Sequence, residues 1–192
     1  MTYSKTFSKI VNIPGLYNSG PQHWQTQWEL LNGRDIRRVE QDCWDNPNKS
    51  CWVNKLDETV RQYNEPVLIT AHSLGCITLV HWANEYNTDK VKGALIVAPA
   101  DVERSEKPYV QSFNPVPLKT LPFPSIVVAS LDDPYCSIER AAKWAAYWGS
   151  RFVCAGRKGH INSSSGLGMW NDGLDLLKEL KITAEHQNFT RA

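Results

Sequence analysis

No stretch of this chain approaches the roughly 18 consecutive apolar residues that cross a membrane as a helix. An excess of one charge sign is missing as well: 21 Lys and Arg stand against 20 Asp and Glu, and the formal net charge is +1. A protein that grips a phosphate backbone needs a basic face or stripe, and the longest basic cluster is the pair Arg37-Arg38, so nucleic acid is not an expected partner. Paired cysteines are lacking too. The five thiols, Cys43, Cys51, Cys76, Cys136 and Cys154, are odd in number and form no CxxC. That excludes a disulfide framework or a structural zinc site as the expected reading and leaves small hydrophobes. The N-terminal MTYSKTFSKIVNIPG has no apolar signal-peptide core, and together with the thiols this makes the cytoplasm the expected compartment. Internal repeats, low-complexity tracts and breaks in composition are also absent, and residues 1–192 are read as a single domain.

What is present is alternation. Short β-rich runs at Lys9–Ile13, Ile36–Val39, Val67–Thr70, Ala94–Val97, Ile126–Ala129 and Phe152–Cys154 are separated by helical patterns. Several runs are apolar throughout, as expected of strands covered on both faces. Pro21 is expected to open a helix with Trp24 and Trp28 one turn apart. Asn46-Pro47 is expected to cap another, in which Trp52, Leu56 and Val60 recur every fourth residue. A third runs from about Ser137 through Trp144 and Trp148 to Gly149, and the last is amphipathic around Leu174, Leu177 and Leu180. The pattern predicts an α/β protein: a three-layer α/β/α sandwich on a mainly parallel sheet of about six strands. The proline-rich segment from Ala98 to Phe123 is expected to be a surface loop rimming a cleft. Trp24, Trp28, Trp144 and Trp148 read as core anchors, whereas Trp44 and Trp170, flanked by Asp, Asn and Gly, read as half-exposed.

Ligands of an open parallel sheet bind beyond the carboxyl ends of its strands. There the sequence places a hydroxyl, a carboxylate and an imidazole. VLITAHSLGCI carries Ser73 between a buried run and a helix, with Ala71 two before and Gly75 two after, a variant of the G-x-S-x-G elbow. A serine merely capping the helix is the competing reading. Ser130-Leu131-Asp132-Asp133-Pro134 follows the fifth strand, and Gly156-Arg157-Lys158-Gly159-His160 follows the sixth. The order serine, acid, histidine is that of α/β-hydrolase sheets. Rival acids are Asp132 and, after the fourth strand, Asp101. Rival histidines are weaker: His72 is expected to project away from the hydroxyl, His81 lies two turns into a helix, and His186 sits in a polar tail. His23 is near the turn after the first strand and is expected to line the cleft. Asn162 and Ser163 read as tethers of the His160 loop.

Six segments then fit one family: IPGLYNSGPQHWQTQWE, DCWDNPNKSCWVNKLD, VLITAHSLGCITLVHWA, LIVAPADVE, PFPSIVVASLDDPYCSIERA and GHINSSSGLGMW. Together they resemble the small serine hydrolases of the retinoblastoma-binding-protein-9-like type, a compact lidless branch of the α/β-hydrolase fold. The resemblance covers most of the chain. It implies Ser73 as nucleophile, His160 as base, and Asp133, the aspartate before Pro134, as the acid. It also implies an oxyanion hole from the backbone N–H groups of Leu16 and Leu74. Tyr17, His72 and His23 are expected at the substrate, with no metal and no cofactor.

The leading expectation is hydrolysis of a small carboxylic ester, thioester or amide through an acyl-enzyme. The alternative is a non-catalytic protein-interaction module on the same scaffold, for which the proline-rich segment and the tryptophans would supply the surface; a protein partner is therefore possible. A nucleotide cofactor is disfavoured because the first turn, PGLYNSG, matches neither G-x-G-x-x-G nor G-x-x-x-x-G-K-[ST].

Overall fold

Apolar side chains that alternate across a strand can serve two cores at once. The computed structural model, which describes residues 9–189, uses them in this way. The strands are β1 (Lys9–Ile13), β2 (Ile36–Arg38), β3 (Val67–His72), β4 (Val91–Val97), β5 (Ser125–Ala129) and β6 (Arg151–Cys154). They form one all-parallel sheet in the order β2-β1-β3-β4-β5-β6. Val11, Ile13, Val67, Ile69, Ala71, Ile96 and Val127 face one core. Ile10, Leu68, Leu95, Val97, Ile126 and Val128 face the other.

Helices cover both faces. On the first lie α2 (Lys49–Arg61), α3 (Leu74–Glu85) and α4 (Ile138–Trp148), contributing Trp52, Leu56, Ile77, Trp82, Trp144 and Trp148. On the second lie α1 (Trp24–Asn32) and α5 (Asn171–Phe189), contributing Trp24, Trp28, Leu177 and Leu180. This is the α/β/α sandwich expected from the sequence. The N-terminal stretch weighed for a signal peptide and both ends of the 1–192 domain lie partly outside the described residues. Among the described residues no helix is long and apolar enough to cross a membrane.

Boundaries differ from expectation where hydrogen bonds decide them. The central β3 and β4 run longer, β3 at its end, where Ala71 pairs with Ile96 and His72 with Val97, and β4 at its start, where Val91 pairs with Val67 and Gly93 with Leu68. Neither proline opens its helix: α2 starts after Asn48, whose Oδ1 accepts from the Cys51 N–H at 3.2 Å, and α1 starts after His23, whose Nδ1 accepts from the Gln25 N–H at 3.2 Å. At α4 the expected signals hold, with Ser137 accepting from the Arg140 N–H and Gly149 ending the helix at φ 67°. The 98–123 segment is more than a surface loop, since its Val110, Phe113 and Val116 are buried in the core, the first two on a short 3-10 turn.

Trp170 corrects its expected half-exposure. At φ 43° the chain folds its ring inward to 5% exposure, 6.1 Å from Trp28 and nearly coplanar with it. Gly173 makes this possible, because a Cβ there would sit 2.2 Å from the ring. Trp44 is half-buried, as its sequence context suggests.

Candidate active site

All six strands run the same way, so the turns that follow them gather at one sheet edge. The turn after β3 is the tightest. Ser73 sits at φ 55° and ψ −121°, in the left-handed region that non-glycine residues rarely occupy. Its neighbours explain the small residues around it. A Cβ on Gly75 would lie 2.3 Å from the Ile13 carbonyl oxygen and 2.6 Å from that of Pro14, and one on Gly15 would lie 2.7 Å from the Ser73 Cβ. The turns after β1 and β3 therefore cross at backbone contact. Although Ser73 occupies the N-cap position of α3, its side chain makes no capping hydrogen bond.

Its hydroxyl has another partner. Ser73 Oγ lies 2.8 Å from His160 Nε2, and His160 Nδ1 lies 2.8 and 2.9 Å from the two Asp133 carboxylate oxygens. The His160 and Asp133 side chains are only 7% and 2% exposed, so this chain of hydrogen bonds is shielded from water. Asp132, the adjacent rival, faces elsewhere: its Oδ1 accepts from Ser130 Oγ and from the Gly159 N–H, which pins the His160 loop to the end of β5 and lowers the Asp132 pKa. Asp101 is buried against Arg140 at 3.2 Å and also pairs with Arg104. Asn162 closes a capping box with Ser165 behind the imidazole.

Two further histidines follow the first in a row of tilted and edge-on rings. His72 and His160 are 4.8 Å apart by ring centroids, and His23 lies 4.6 Å from His72. His72 Nε2 is 2.9 Å from the His160 carbonyl oxygen, so it carries the proton and donates it there. Both rings stay neutral. Burial, then the neighbouring imidazoles, hold His72 well below its ordinary pKa. Burial, then Arg38 and His160, bring His23 down to about 3. The structure thus makes His72 a brace for the histidine loop, a role its sequence position beside Ser73 does not reveal. His81 bonds the Phe113 carbonyl, and His186 is exposed on α5, both away from Ser73.

Leu16 and Leu74 flank the serine on the two crossing turns, and among the described residues no hydrogen bond occupies either backbone N–H. A buried polar network fixes the first turn. Gln25 Nε2 donates to the Ile13 and Thr70 carbonyls while its Oε1 accepts from Ser19, and Arg38 forks onto Glu29 and reaches Asn18 and Ser19. Neither Gln25 nor Arg38 carries a sequence signal that would have identified it.

These residues open onto a cavity of about 620 Å³, lined among others by Leu16, Tyr17, Val110 and Tyr135, with the His23 and His72 rings in its wall. The 98–123 segment rims it, as expected. Burial, then the Asp101 and Asp133 charges, push the Cys136 thiol in its wall up to about 12, so it is no competing nucleophile at neutral pH. Among the described residues no three His, Cys, Asp or Glu are grouped so as to hold a metal ion.

A family model described as serine hydrolase matches residues 10–179. The chain belongs to the serine hydrolase family. This serine hydrolase is similar to a YdeN-like hydrolase from Pectobacterium atrosepticum, with 30% identity, 93% of this chain and 92% of the other covered, and a TM-score of 0.83. The ydeN gene product of B. subtilis is 16% identical over 90% of this chain and 98% of its own, at a TM-score of 0.71. Est1E from Butyrivibrio proteoclasticus, solved with ferulic acid, shares the fold at 10% identity and a TM-score of 0.69, covering 93% and 92%. None of the curated proteins matches the chain.

Proposed function

We propose that this serine hydrolase cleaves a small carboxylic ester, thioester or amide through Ser73, His160 and Asp133, by way of an acyl-enzyme. The observation that carries the reading is the unbroken run of hydrogen bonds from Ser73 Oγ through His160 to Asp133, made by side chains from three strand ends. His160 Nε2 accepts the serine proton as Oγ attacks the carbonyl carbon, while its Nδ1–H donates to Asp133, which steadies the imidazolium. The proton then passes to the leaving group as the carbonyl–heteroatom bond breaks. A water molecule, deprotonated by the same imidazole, releases the acid and restores Ser73. Negative charge on the carbonyl oxygen is met by the N–H groups of Leu16 and Leu74, each typically worth about 3 kcal/mol in the transition state.

The open cavity, over which no α-helical lid lies among the described residues, supports a small substrate. We also assign the chain to the retinoblastoma-binding-protein-9-like branch, on the six segments quoted above, as a one-domain enzyme acting on a small molecule. Five free thiols support a cytoplasmic site of action. Fluorophosphonate labelling with peptide mapping tests the proposal. The expected result is an adduct on Ser73 that disappears in His160→Ala. A folded, pure sample that takes no adduct overturns it in favour of the interaction-module reading.

A further inference from the structure

One charge at the cavity mouth has no counter-ion. Lys107 lines the cavity, and its ammonium lies 5.5 Å from the Tyr17 ring centroid and 5.9 Å from those of both Tyr109 and Tyr135. Among the described residues no carboxylate comes within ion-pair distance of it. Both carboxylates of the cavity wall are engaged elsewhere, Asp101 by Arg140 and Arg104, and Asp133 by His160. Aromatic faces attract a cation through their quadrupole, yet they carry no net charge, so the three rings hold the ammonium in place without neutralising it. Two contacts tie the cage together and to its surroundings. The Tyr17 and Tyr109 hydroxyls bond each other at 2.9 Å, and the Tyr135 ring packs edge-on against His160 at 4.6 Å.

The cage also connects directly to the proposed chemistry. Tyr17 follows Leu16 in the turn after β1, and Tyr135 lies two residues after Asp133. An ammonium among them is placed next to the proposed chemistry, where a bound anion would meet it. The hydroxyl pair adds a donor, since only one of its two protons is spent on the bond between them. Arg104, the other cation of the wall, is paired with Asp101. One uncompensated positive charge matches a carboxylate monoanion better than a phosphate dianion.

We propose that Lys107, held by Tyr17, Tyr109 and Tyr135, selects substrates bearing a carboxylate beside the ester or amide that is cleaved. The inference rests on the hydrolase reading above and narrows it to half-esters or half-amides of dicarboxylic acids, and to acyl derivatives of hydroxy or amino acids. Three esters of similar size test it: monoethyl glutarate with the carboxylate on the acyl side, pentanoyl glycolate with it on the alcohol side, and neutral ethyl pentanoate. At low salt the wild type is expected to favour one of the charged esters over the neutral one by about tenfold in kcat/KM, the worth of a charge-assisted hydrogen bond. That ratio should collapse toward one in Lys107→Met, persist in Lys107→Arg, and shrink as salt rises.

Calorimetric binding of the same esters to Ser73→Ala keeps the two claims apart. Equal affinity for all three, unaltered by adding Lys107→Met, overturns the carboxylate inference, and turnover of ethyl pentanoate would leave the hydrolase reading standing. Tighter, Lys107-dependent binding of a charged ester supports it. If that binding occurs without turnover of any ester by the wild type, the hydrolase reading fails while anion recognition holds.

Discussion

Replacing Gly75 by alanine puts two rules in opposition and lets one measurement choose. Gly75 is the second residue of α3, where alanine is the better helix former by up to about 1 kcal/mol. The new Cβ, however, would sit 2.3 Å from the Ile13 carbonyl oxygen and 2.6 Å from that of Pro14. Carbon and oxygen need roughly 1 Å more than that, and backbone atoms cannot rotate out of the way as a side chain can. Overpacking of this kind costs about 3 kcal/mol at the upper end of its usual range, so the net loss is about 2 kcal/mol. For a protein of this size that lowers Tm by roughly 4 to 8 °C. The functional loss should exceed the structural one. The atoms forced apart belong to the two turns that carry Leu16 and Ser73, and a displacement of about 1 Å can cost on the order of a hundredfold in rate. Scanning calorimetry and the rate of fluorophosphonate labelling read the two effects. A variant that melts higher than wild type and labels at the same rate would refute the crossing-turn argument.

The acid assignment can be tested by exchanging oxygen for nitrogen at each aspartate. Asp133→Asn should lower kcat about 10⁴-fold by spoiling the imidazole tautomer, whereas Asp132→Asn, which loosens only the loop around Gly159, should cost on the order of tenfold; comparable losses in a steady-state ester assay would undo the distinction. The buried histidines predict acid lability. His23, held down to about 3, is neutral in the fold and gains a proton on unfolding, as does His72, so their contribution is full above about pH 6.5 and is lost as pH falls toward 3. His23 alone should give a slope of about 1.4 kcal/mol per pH unit in that window. Urea unfolding at pH 7, 5 and 4 should show this slope and its flattening in His23→Gln, and an unchanged slope would exclude His23 as its source.

The sheet was legible in the sequence because burial on both faces leaves a local mark: uninterrupted apolar runs such as Val67-Leu68-Ile69 need no knowledge of what packs on them. The positions of Ser73, Asp133 and His160 were legible for a related reason, since strand ends in a parallel sheet converge wherever the turns happen to be in sequence. The helix starts at His23 and Asn48 were misread because Pro21 and Pro47 are permitted at a first turn without being required there. Trp170 was misread because its surroundings in sequence are polar, while its surroundings in space are Trp24 and Trp28. Tyr17 was expected at the substrate, but Lys107, Tyr109 and Tyr135 left no signal. The four come from three separate loops, and a charge held by ring faces follows no spacing rule.

The bond between Ser73 and His160 joins residues 87 positions apart, on the turn after central β3 and on the loop after edge strand β6. Between them in the sheet stand β4 and β5, and a contact so distant along the chain carries a large loop-closure cost until those strands dock. Ser73 is made early in synthesis and its imidazole late. On the triad proposed above, a half-made chain would display a hydroxyl with no base to deprotonate it, and reaction with acyl groups is expected only once the last strand is in place. Fluorophosphonate labelling of Ser73 would then serve as a clock for assembly: the moment at which the hydroxyl begins to react would mark the closing of the sheet.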